Sequence, residues 1–445
     1  MNRRKNSRGS RIMKNTITDR IYLSMQIQLE SPLCVASGEM LLTDHDIIRD
    51  FDGKPFIPGT TIAGVMRSYL EEEVSRNLFG YSENEQSRMS SIFISDVYLK
   101  NIEGKDVSTQ IRDGVSLKNK IAVTNRKYEM EVVDTGAVGM LYLEFILREK
   151  NSLNTGELKE EIKKIIFGLV SGEIRFGHRK NRGYGKVKVL NVWFNHFVVG
   201  KHSVADWIEF NPKDVKCYRE SYGIKEINCI LDANIKRKYI ELKVPLKLTG
   251  GISIRQYQAK KDAPDYKHIT SNHISVIPGT SWCGAIRNGA ERILKELGLR
   301  NIQEKLEYLF GNINEGSAEA KESKLIVSES CLQDGRQKII TRNKIDRFTN
   351  ASVQGALYTE QMYVGGNLYL NLKVQDLEGY QWVVGLLLLI VKDIQNGYIP
   401  VGGETAIGHG IMEKGEKEIY ISKGKSDDYM RSLEQICVQE RRRVY

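Results

Sequence analysis

Hydrophobic and polar residues follow one another along the chain in a pattern that predicts the same set of elements twice. Segments rich in β-branched and aromatic residues predict strands, and apolar residues spaced near every 3.6 positions predict helices. In the first half, strands are predicted at 20–30, 92–99, 138–148 and 185–194, and helices at 59–75 and 157–172. In the second half, strands are predicted at 239–248, 324–330, 366–374 and 405–414, and helices at 279–297 and 378–396.

Both halves have the order strand, helix, strand, strand, helix, strand, which is that of a ferredoxin-like fold. We therefore predict an α+β chain of two tandem ferredoxin-like (RRM-like) domains. Long inserted loops are predicted at 31–57 and 249–277, and connections of that length usually carry function. The predicted limits are a basic N-terminal arm at 1–19, a first domain at 20–195, a linker at 196–236, a second domain at 237–420 and a basic C-terminal tail at 421–445.

A repeated motif lies at the equivalent point of each half. "IPGTTIAGVMR" runs from Ile57 to Arg67 and "IPGTSWCGAIR" from Ile277 to Arg287, and each is followed by LFG. Each half closes on a glycine-rich loop, "FGHRKNRGYGK" in the first and "VGGETAIGHGI" in the second, with three glycines at the same spacing. Self-similarity of this kind indicates a duplicated domain.

The composition of the chain indicates which class of partner it binds and in which cellular compartment it is expected. The formal net charge of +10 favours an anionic partner such as nucleic acid. None of the six cysteines forms a CxxC pair or a zinc-ligand spacing with a histidine, so neither a zinc site nor a disulfide framework is predicted. The N-terminal segment lacks the apolar core of a signal peptide, and the most apolar run, 382–391, is too short to span a bilayer. We expect a cytoplasmic protein with no membrane partner.

The glycine-rich loops and the repeated motif are the candidate nucleic-acid contacts. Glycine lets the backbone approach phosphates and bases, and cations with aromatic rings suit single strands. The PGT motif predicts a helix start, whose N–H groups form an anion site. The loop candidates are His178, Arg179, Lys180, Arg182, Tyr184 and, in the less basic second loop, His409. The helix candidates are Gly59, Thr60, Arg67, Gly279, Thr280 and Arg287. The alternative is that the glycines serve only a tight turn and the motif only a helix cap.

Taken together and in order, these motifs resemble the RAMP superfamily of CRISPR effector proteins, and within it the crRNA-binding backbone subunit of type III complexes. The resemblance rests on "IIRDFDGKPFIPGTTIAGVMRSYLE" from Ile47, "IRDGVSL" from Ile111, "YEMEVV" from Tyr128, "NKIDRFTNASVQGALYTE" from Asn343 and the two glycine-rich loops. It covers about 20–195 and 238–415, nearly the whole folded chain. It implies two fused copies of a backbone subunit, each a RAMP domain.

The resemblance implies a cleavage site in the acidic loop of the first half. Family members that cleave target RNA place an aspartate before the stretch matching "IIRD", and by this spacing Asp44 takes that position. An aspartate there would bind a divalent cation, Mg²⁺ or Mn²⁺, or help to activate the ribose 2′-OH. In the second half, Asp265 lies one residue off this spacing, and Asp262 is the other candidate. The alternative is a set of solvated carboxylates. Family members often carry a histidine near the end of the first strand, where Cys34 and Ile252 are the predicted matches.

The resemblance also implies a thumb in each domain, a hairpin that crosses the crRNA and splays a base at intervals. The candidate contacts are Arg112, Lys118 and Arg126 in the first half, and Arg342, Lys344, Arg347 and Phe348 in the second. An ordinary solvated hairpin is the alternative.

The leading hypothesis is a double backbone subunit that binds crRNA, works with other RAMP and effector subunits, and cleaves complementary target RNA with a divalent cation. One alternative is a non-catalytic crRNA-binding scaffold of the same complex. Another is a guide-processing endoribonuclease, whose acid–base histidine would be His45, His178, His268, His273 or His409. A nucleotide-binding enzyme is disfavoured, since no GxxxxGK[ST] motif follows a strand.

Overall fold

The computed structural model of the chain describes residues 16–38, 43–83, 86–118, 121–149, 153–231, 235, 237–257, 264–312 and 320–442. The first half contains strands β1 (Ile17–Leu29), β2 (Phe56–Ile57), β3 (Tyr81–Glu83), β4 (Gln86–Arg88), β5 (Ile92–Ile94), β6 (Val97–Tyr98), β7 (Thr109–Lys118), β8 (Ile121–Val133), β9 (Val138–Arg148), β10 (Val187–Val198) and β11 (Glu220–Gly223). Its helices are α1 (Gly59–Tyr69), α2 (Glu72–Phe79), α3 (Thr155–Ser171), α4 (Val204–Glu209) and α5 (Ile224–Leu231).

The second half repeats this plan with additional short strands. Its strands are β12 (Tyr239–Thr249), β13 (Gly251–Ile252), β14 (Arg255–Tyr257), β15 (Tyr266–His268), β16 (Thr270–Ser271), β17 (Ile274–Ile277), β18 (Leu325–Val327), β19 (Ser330–Cys331), β20 (Arg336–Ile345), β21 (Ser352–Val364), β22 (Asn367–Gln375), β23 (Ile411–Lys414) and β24 (Tyr420–Ile421). Its helices are α6 (Gly279–Glu296), α7 (Ile302–Phe310), α8 (Gln381–Gln395) and α9 (Ser426–Arg442).

Each domain is built on one antiparallel sheet with the ferredoxin-like strand order. The first sheet runs β11-β10-β1-β9-β5, and the second runs β18-β22-β12-β23 with β24 beside β12. The first strand of each unit is central: β1 pairs with β9 and β10 along its length, and β12 pairs with β22 and β23. The predicted fold, two tandem ferredoxin-like domains, is confirmed.

Three predicted elements differ from the observed ones. The strand predicted at 92–99 is two strands, β5 and β6, which belong to different sheets. The helix predicted at 59–75 is two helices, because the chain is extended at Leu70 (ψ 162°) and Glu71 (ψ 148°). This break lets Leu70 and, from the next helix, Leu78 enter the same core. The strand predicted at 405–414 begins only at Ile411, since the glycine-rich loop first forms a 3-10 helix at Thr405–Ile407.

Each domain has its own hydrophobic core, and the cores extend beyond the predicted domain limits. The first core includes Ile227 and Leu231, and β11 pairs with β10, so part of the predicted linker belongs to the first domain. The second core includes Leu433 of α9, so the predicted C-terminal tail contains a packed helix. Residues 1–15 of the predicted N-terminal arm lie outside the described residues, and β1 already begins at Ile17.

The domains contact each other through the first glycine-rich loop and the β7–β8 hairpin. Arg175 is 2% exposed; it donates to the Gly183 carbonyl (2.8 Å) and to Ser328 Oγ of the second domain (3.1 Å). Arg112 of the hairpin donates to Glu329 at 2.6 Å, and both side chains are nearly fully buried. A buried charge without a partner is costly, and separating the domains would remove these partners. The contacts therefore hold the first loop and the hairpin against the second domain.

Candidate functional site

Asp44 lies in the long loop between β1 and β2, against the β7–β8 hairpin. The residue is exposed, and its Oδ2 accepts a hydrogen bond of 2.7 Å from the Glu129 N–H of β8. The loop is braced by buried Asp46, whose Oδ1 accepts from the N–H (2.9 Å) and hydroxyl (2.7 Å) of Thr43. The carboxylate of Asp44 is therefore fixed in position while its residue faces solvent.

Asp265 occupies the same place in the second domain. It is exposed, and its Oδ2 accepts a hydrogen bond of 2.8 Å from the Thr359 N–H of β21, the counterpart of β8. The residue after each aspartate forms a parallel bridge: His45 with Met130, and Tyr266 with Glu360. The one-residue difference between the two halves therefore lies in the segment that joins each aspartate to the first helix of its domain. Asp262, the other candidate, lies outside the described residues.

The strand register corrects one predicted match. Ile252 pairs with β21 at the position that is equivalent to the pairing of Leu33 with β8. The following residues, Cys34 and Ser253, each accept a 2.7 Å hydrogen bond on their carbonyls from the glycine-rich loop of their own domain. The counterpart of Cys34 is therefore Ser253, and the predicted match with Ile252 is wrong by one residue. Neither position carries a histidine.

The outer side of the first glycine-rich loop faces the acidic loop. The imidazole of His178 stacks on that of His45, with centroids 5.5 Å apart and planes 26° from parallel. Partial burial and the neighbouring His45 and Arg179 lower the pKa of His178. Arg179 has a left-handed backbone (φ 56°), and its guanidinium lies 4.2 Å from the centroid of the Tyr128 ring. The loop thus brings imidazoles, a cation and an aromatic ring beside Asp44.

A cleft of about 360 Å³ opens between this loop and helix α1. Its lining residues are Val35, Ala36, Thr60, Thr61, Gly64, Val65, Gly177, His178 and Lys180. Three predicted contacts, Thr60, His178 and Lys180, therefore meet at one surface. Gly64 is exposed, and a Cβ there would meet no atom within 4 Å, so the helix presents a flat backbone to the cleft.

The inner side of the same loop is occupied by the second domain. Arg182 donates to the Cys283 sulfur of α6. Tyr184 is 4% exposed, and the Arg112 guanidinium lies 5.6 Å from its ring centroid. Tyr184 and Arg112 are buried between the domains and join them in this structure, and their contact with RNA stays a prediction.

The glycines of the two PGT motifs have a packing role. A Cβ on Gly59 would lie 2.6 Å from the Ile94 carbonyl oxygen, and one on Gly279 would lie 2.3 Å from the Val327 carbonyl oxygen. Each helix therefore begins in close contact with an edge strand of its sheet. The Gly59 N–H donates to Asp96 Oδ1 (2.7 Å), so a side chain already satisfies this donor of the expected anion site.

The remaining helix candidates differ between the domains. Arg67 is exposed near the end of α1, whereas half-buried Arg287 lies 5.6 Å from the Phe310 ring centroid. Thr280 is half-buried. Of the predicted helix contacts, Thr60 and Arg67 of the first domain are thus the more accessible.

The β20–β21 hairpin presents an aromatic side chain at its tip. Phe348 is 96% exposed, and Lys344 and Arg347 beside it are exposed as well. Asp346 shapes the turn, since its Oδ1 accepts from the N–H groups of Phe348 and Thr349, both at 2.9 Å. These hydrogen bonds lower the pKa of Asp346. In the first hairpin, the side chains of Lys118 and Arg126 lie outside the described part of the structure.

The second glycine-rich loop is engaged with its own hairpin. Arg342 donates to the Glu404 carboxylate and approaches His409 Nε2 at 3.1 Å. Arg255 donates to Glu404 at 2.5 Å and to buried Glu360 at 3.0 Å. Motif matching indicated Arg342 and His409 but missed Arg255 and Glu360, because nothing in their local sequence links them.

The described residues contain no group of three or more His, Cys, Asp or Glu side chains arranged to hold a metal ion. Each anchored aspartate nevertheless suits a cation shared with RNA. Mg²⁺ commonly takes one or two protein carboxylates and completes its shell with phosphate oxygens and water. A cation at Asp44 or Asp265 would therefore need phosphate oxygens and water as its remaining ligands.

Fold and site together define a duplicated ferredoxin-like protein with a basic, glycine-lined cleft. The family model of the RAMP superfamily matches residues 26–188 and 267–413, and the chain belongs to this superfamily. Membership supports a CRISPR-associated RNA-binding subunit that works with RNA in multi-subunit complexes. A search of curated proteins finds no match to the chain. No helix within the described ranges is long and apolar enough to cross a membrane.

Proposed function

We propose that the chain is a double backbone subunit of a type III CRISPR ribonucleoprotein, which binds crRNA and cleaves complementary target RNA at Asp44 and Asp265. The observation that carries this proposal is the equivalent anchoring of the two carboxylates. Each accepts a hydrogen bond from the N–H of the second strand of its hairpin, at 2.7 Å and 2.8 Å. A duplicated, exposed and fixed carboxylate beside an RNA-binding surface favours a chemical role over a merely solvated one.

In this reaction the ribose 2′-oxygen attacks the adjacent phosphorus, and the bond from phosphorus to the 5′-oxygen breaks. The products are a 2′,3′-cyclic phosphate and a 5′-hydroxyl end. The carboxylate of Asp44 or Asp265 accepts the 2′-OH proton or orients it, and the leaving 5′-oxygen takes a proton from solvent. A divalent cation, Mg²⁺ or Mn²⁺, would neutralise charge at the phosphate, with the aspartate as its protein ligand. Sequence selection comes from base pairing with the crRNA.

The test uses the assembled complex with Asp44→Asn and Asp265→Asn, separately and together. Each substitution should slow cleavage at one set of target positions about 10²- to 10⁴-fold, as for loss of a general base. The control is Asp52→Asn, an exposed carboxylate of the same loop, which should leave every cut unchanged. Cleavage that persists at all positions in the double variant would reject the enzymatic proposal and favour the non-catalytic scaffold.

The stacked pair of His45 and His178 favours a second candidate function, processing of the guide precursor. Two imidazoles 5.5 Å apart beside a cleft can share the acid and base steps of RNA cleavage without a metal. The lowered pKa of His178 suits the base, since a neutral ring accepts the proton. The second domain has Tyr266 and Gly403 at these positions, so this activity would belong to the first domain alone.

Incubation of the purified chain with a repeat-containing precursor RNA in the presence of a chelator tests this second candidate. Cleavage that is lost in His178→Ala and kept in Asp265→Asn would support it. An intact precursor would exclude it and leave the target-cleavage proposal untouched.

A further inference from the structure

Four side chains of the second domain converge on the carboxylate of Glu404 in the glycine-rich loop. Arg255 Nη2 lies 2.5 Å and the Tyr358 hydroxyl 3.2 Å from Oε1. Arg342 donates to Oε2, and His409 Nδ1 lies 3.4 Å from the same oxygen. The Glu404 side chain is 14% exposed, so both of its oxygens are largely enclosed by donors.

The position of Arg255 does not depend on Glu404 alone. Its Nε donates at 3.0 Å to Glu360, whose side chain is 0% exposed and also accepts from the Ser253 hydroxyl. Although burial opposes ionisation of Glu360, the hydrogen bonds from Arg255 and Ser253 lower its pKa. A buried carboxylate thus holds the guanidinium in place with its Nη2 group directed at Glu404.

The first domain has a different set of residues at these positions. In the strand registers, the first-domain residues at the positions of Arg255, Arg342 and Glu360 are Ala36, Gly114 and Met130, in that order. Arg179 stands where the second domain has Glu404, and the two share the left-handed backbone, with φ of 56° and 55°. The charge at this loop position is therefore inverted between the domains.

Two guanidinium groups fixed around one pair of carboxylate oxygens also match the oxygens of a phosphate. The side chains of Arg255 and Arg342 are 35% and 21% exposed, so solvent reaches both. We propose that Arg255 and Arg342 form a phosphate-binding site for RNA in the second domain, and that Glu404 occupies this site as an internal anion in the RNA-free chain. The cluster has two arginines against Glu404 and Glu360, so its charges cancel and its attraction for RNA is weakened.

This inference rests on RNA binding in the proposed function and not on cleavage. The test measures binding of the full chain to a fluorescent single-stranded oligouridylate by anisotropy across a salt series. Glu404→Gln should bind roughly five- to tenfold tighter than the wild type at low salt, because both arginines are released. The salt dependence should steepen by about 0.7 in logarithmic slope for each phosphate gained.

The matched control is Glu413→Gln on β23, which removes the same charge from an exposed position outside the cluster. The double variant Arg342→Ala with Glu404→Gln should lose the gain, because one of the two arginines of the phosphate site is then absent. Glu404→Gly suits the left-handed backbone and repeats the test if the glutamine variant unfolds. Affinity no higher than that of Glu413→Gln would overturn the inference, whereas a wild-type chain that binds no RNA would contradict the RNA-binding role itself.

Discussion

The two glycine-rich loops have the same backbone conformation, but they differ in their contact with the other domain and in the charges of their neighbours. In the first loop, Gly183 packs so closely on β18 that a Cβ would lie 2.8 Å from the Val327 carbonyl oxygen, whereas its counterpart Gly408 has no atom within 4 Å of that position. The first loop is fixed by the other domain and offers cations at its outer side. Among the residues that the structure describes, the second loop makes no such contact, and its Glu404 instead pairs with Arg255 and Arg342 of neighbouring strands. Equal motifs therefore do not mean equal binding, since the neighbours of a loop decide which of its side chains reach a ligand.

The β7–β8 and β20–β21 hairpins also differ in their contact with the other domain. The prediction with the largest expected effect tests this difference. Arg112 is buried in an ion pair with Glu329 of the other domain, whereas its counterpart Ile340 is half-buried. Arg112→Ala should lower the free energy of unfolding by about 3–5 kcal/mol, because Glu329 is left buried without a partner. Ile340→Ala should cost about 1 kcal/mol or less. Urea denaturation measures both, and equal losses would contradict the assigned asymmetry.

Acid should destabilise the second domain through His268, whose counterpart in the first domain is Ile47. His268 is 1% exposed, its Nδ1 accepts from the Ile254 N–H, and burial lowers its pKa from 6.5 to about 4. The folded state thus favours the neutral ring, so its stability is full above pH about 6.5 and falls as the pH drops toward 4. The loss reaches about 3 kcal/mol.

Denaturation at several pH values, with the variant His268→Asn, isolates this contribution. Asparagine keeps an acceptor for the Ile254 N–H but does not titrate, so the variant should lose that part of the pH dependence. The same acid dependence in both proteins would show that other groups cause it.

The prediction with the smallest expected effect compares two exposed helix glycines, Gly64 of α1 and Gly284 of α6. A Cβ at either position would meet no atom within 4 Å, so alanine should stabilise each helix by about 0.5–1 kcal/mol. Only Gly64 lines the cleft. Gly64→Ala should therefore weaken RNA binding while Gly284→Ala should not. Unchanged RNA affinity in both variants would argue against the cleft as a place where RNA approaches the helix backbone.

Much of the fold was predictable because duplicated motifs and apolar periodicity act locally. The repeated PGT motif, the glycine spacing and the helix at 157–172 needed only neighbouring residues, and each has a counterpart in the structure. The break at Leu70 was not predictable, since no glycine or proline marks it; Leu70 and Leu78 on its two sides pack into the same core, which forms only in the folded chain. Helix α9 was assigned to a tail because its polar face dominates its composition.

The candidate site was predictable only in part. The sequence indicated Asp44, but the one-residue offset obscured the equivalence of Asp265, which became clear from the matching hydrogen bonds to Glu129 and Thr359. Burial of Tyr184 could not be foreseen, because its partner comes from a distant hairpin.

The sequence by itself determined the duplication, the ferredoxin-like order of elements and the family, because these depend on patterns within short segments. The tertiary structure decided which charges remain available. It buried Arg112 and Arg175 between the domains, enclosed Glu404 among arginines and left Lys180 at the cleft. The physical reason is that electrostatic and packing energies depend on distance and burial, which arise only when segments far apart in the chain meet.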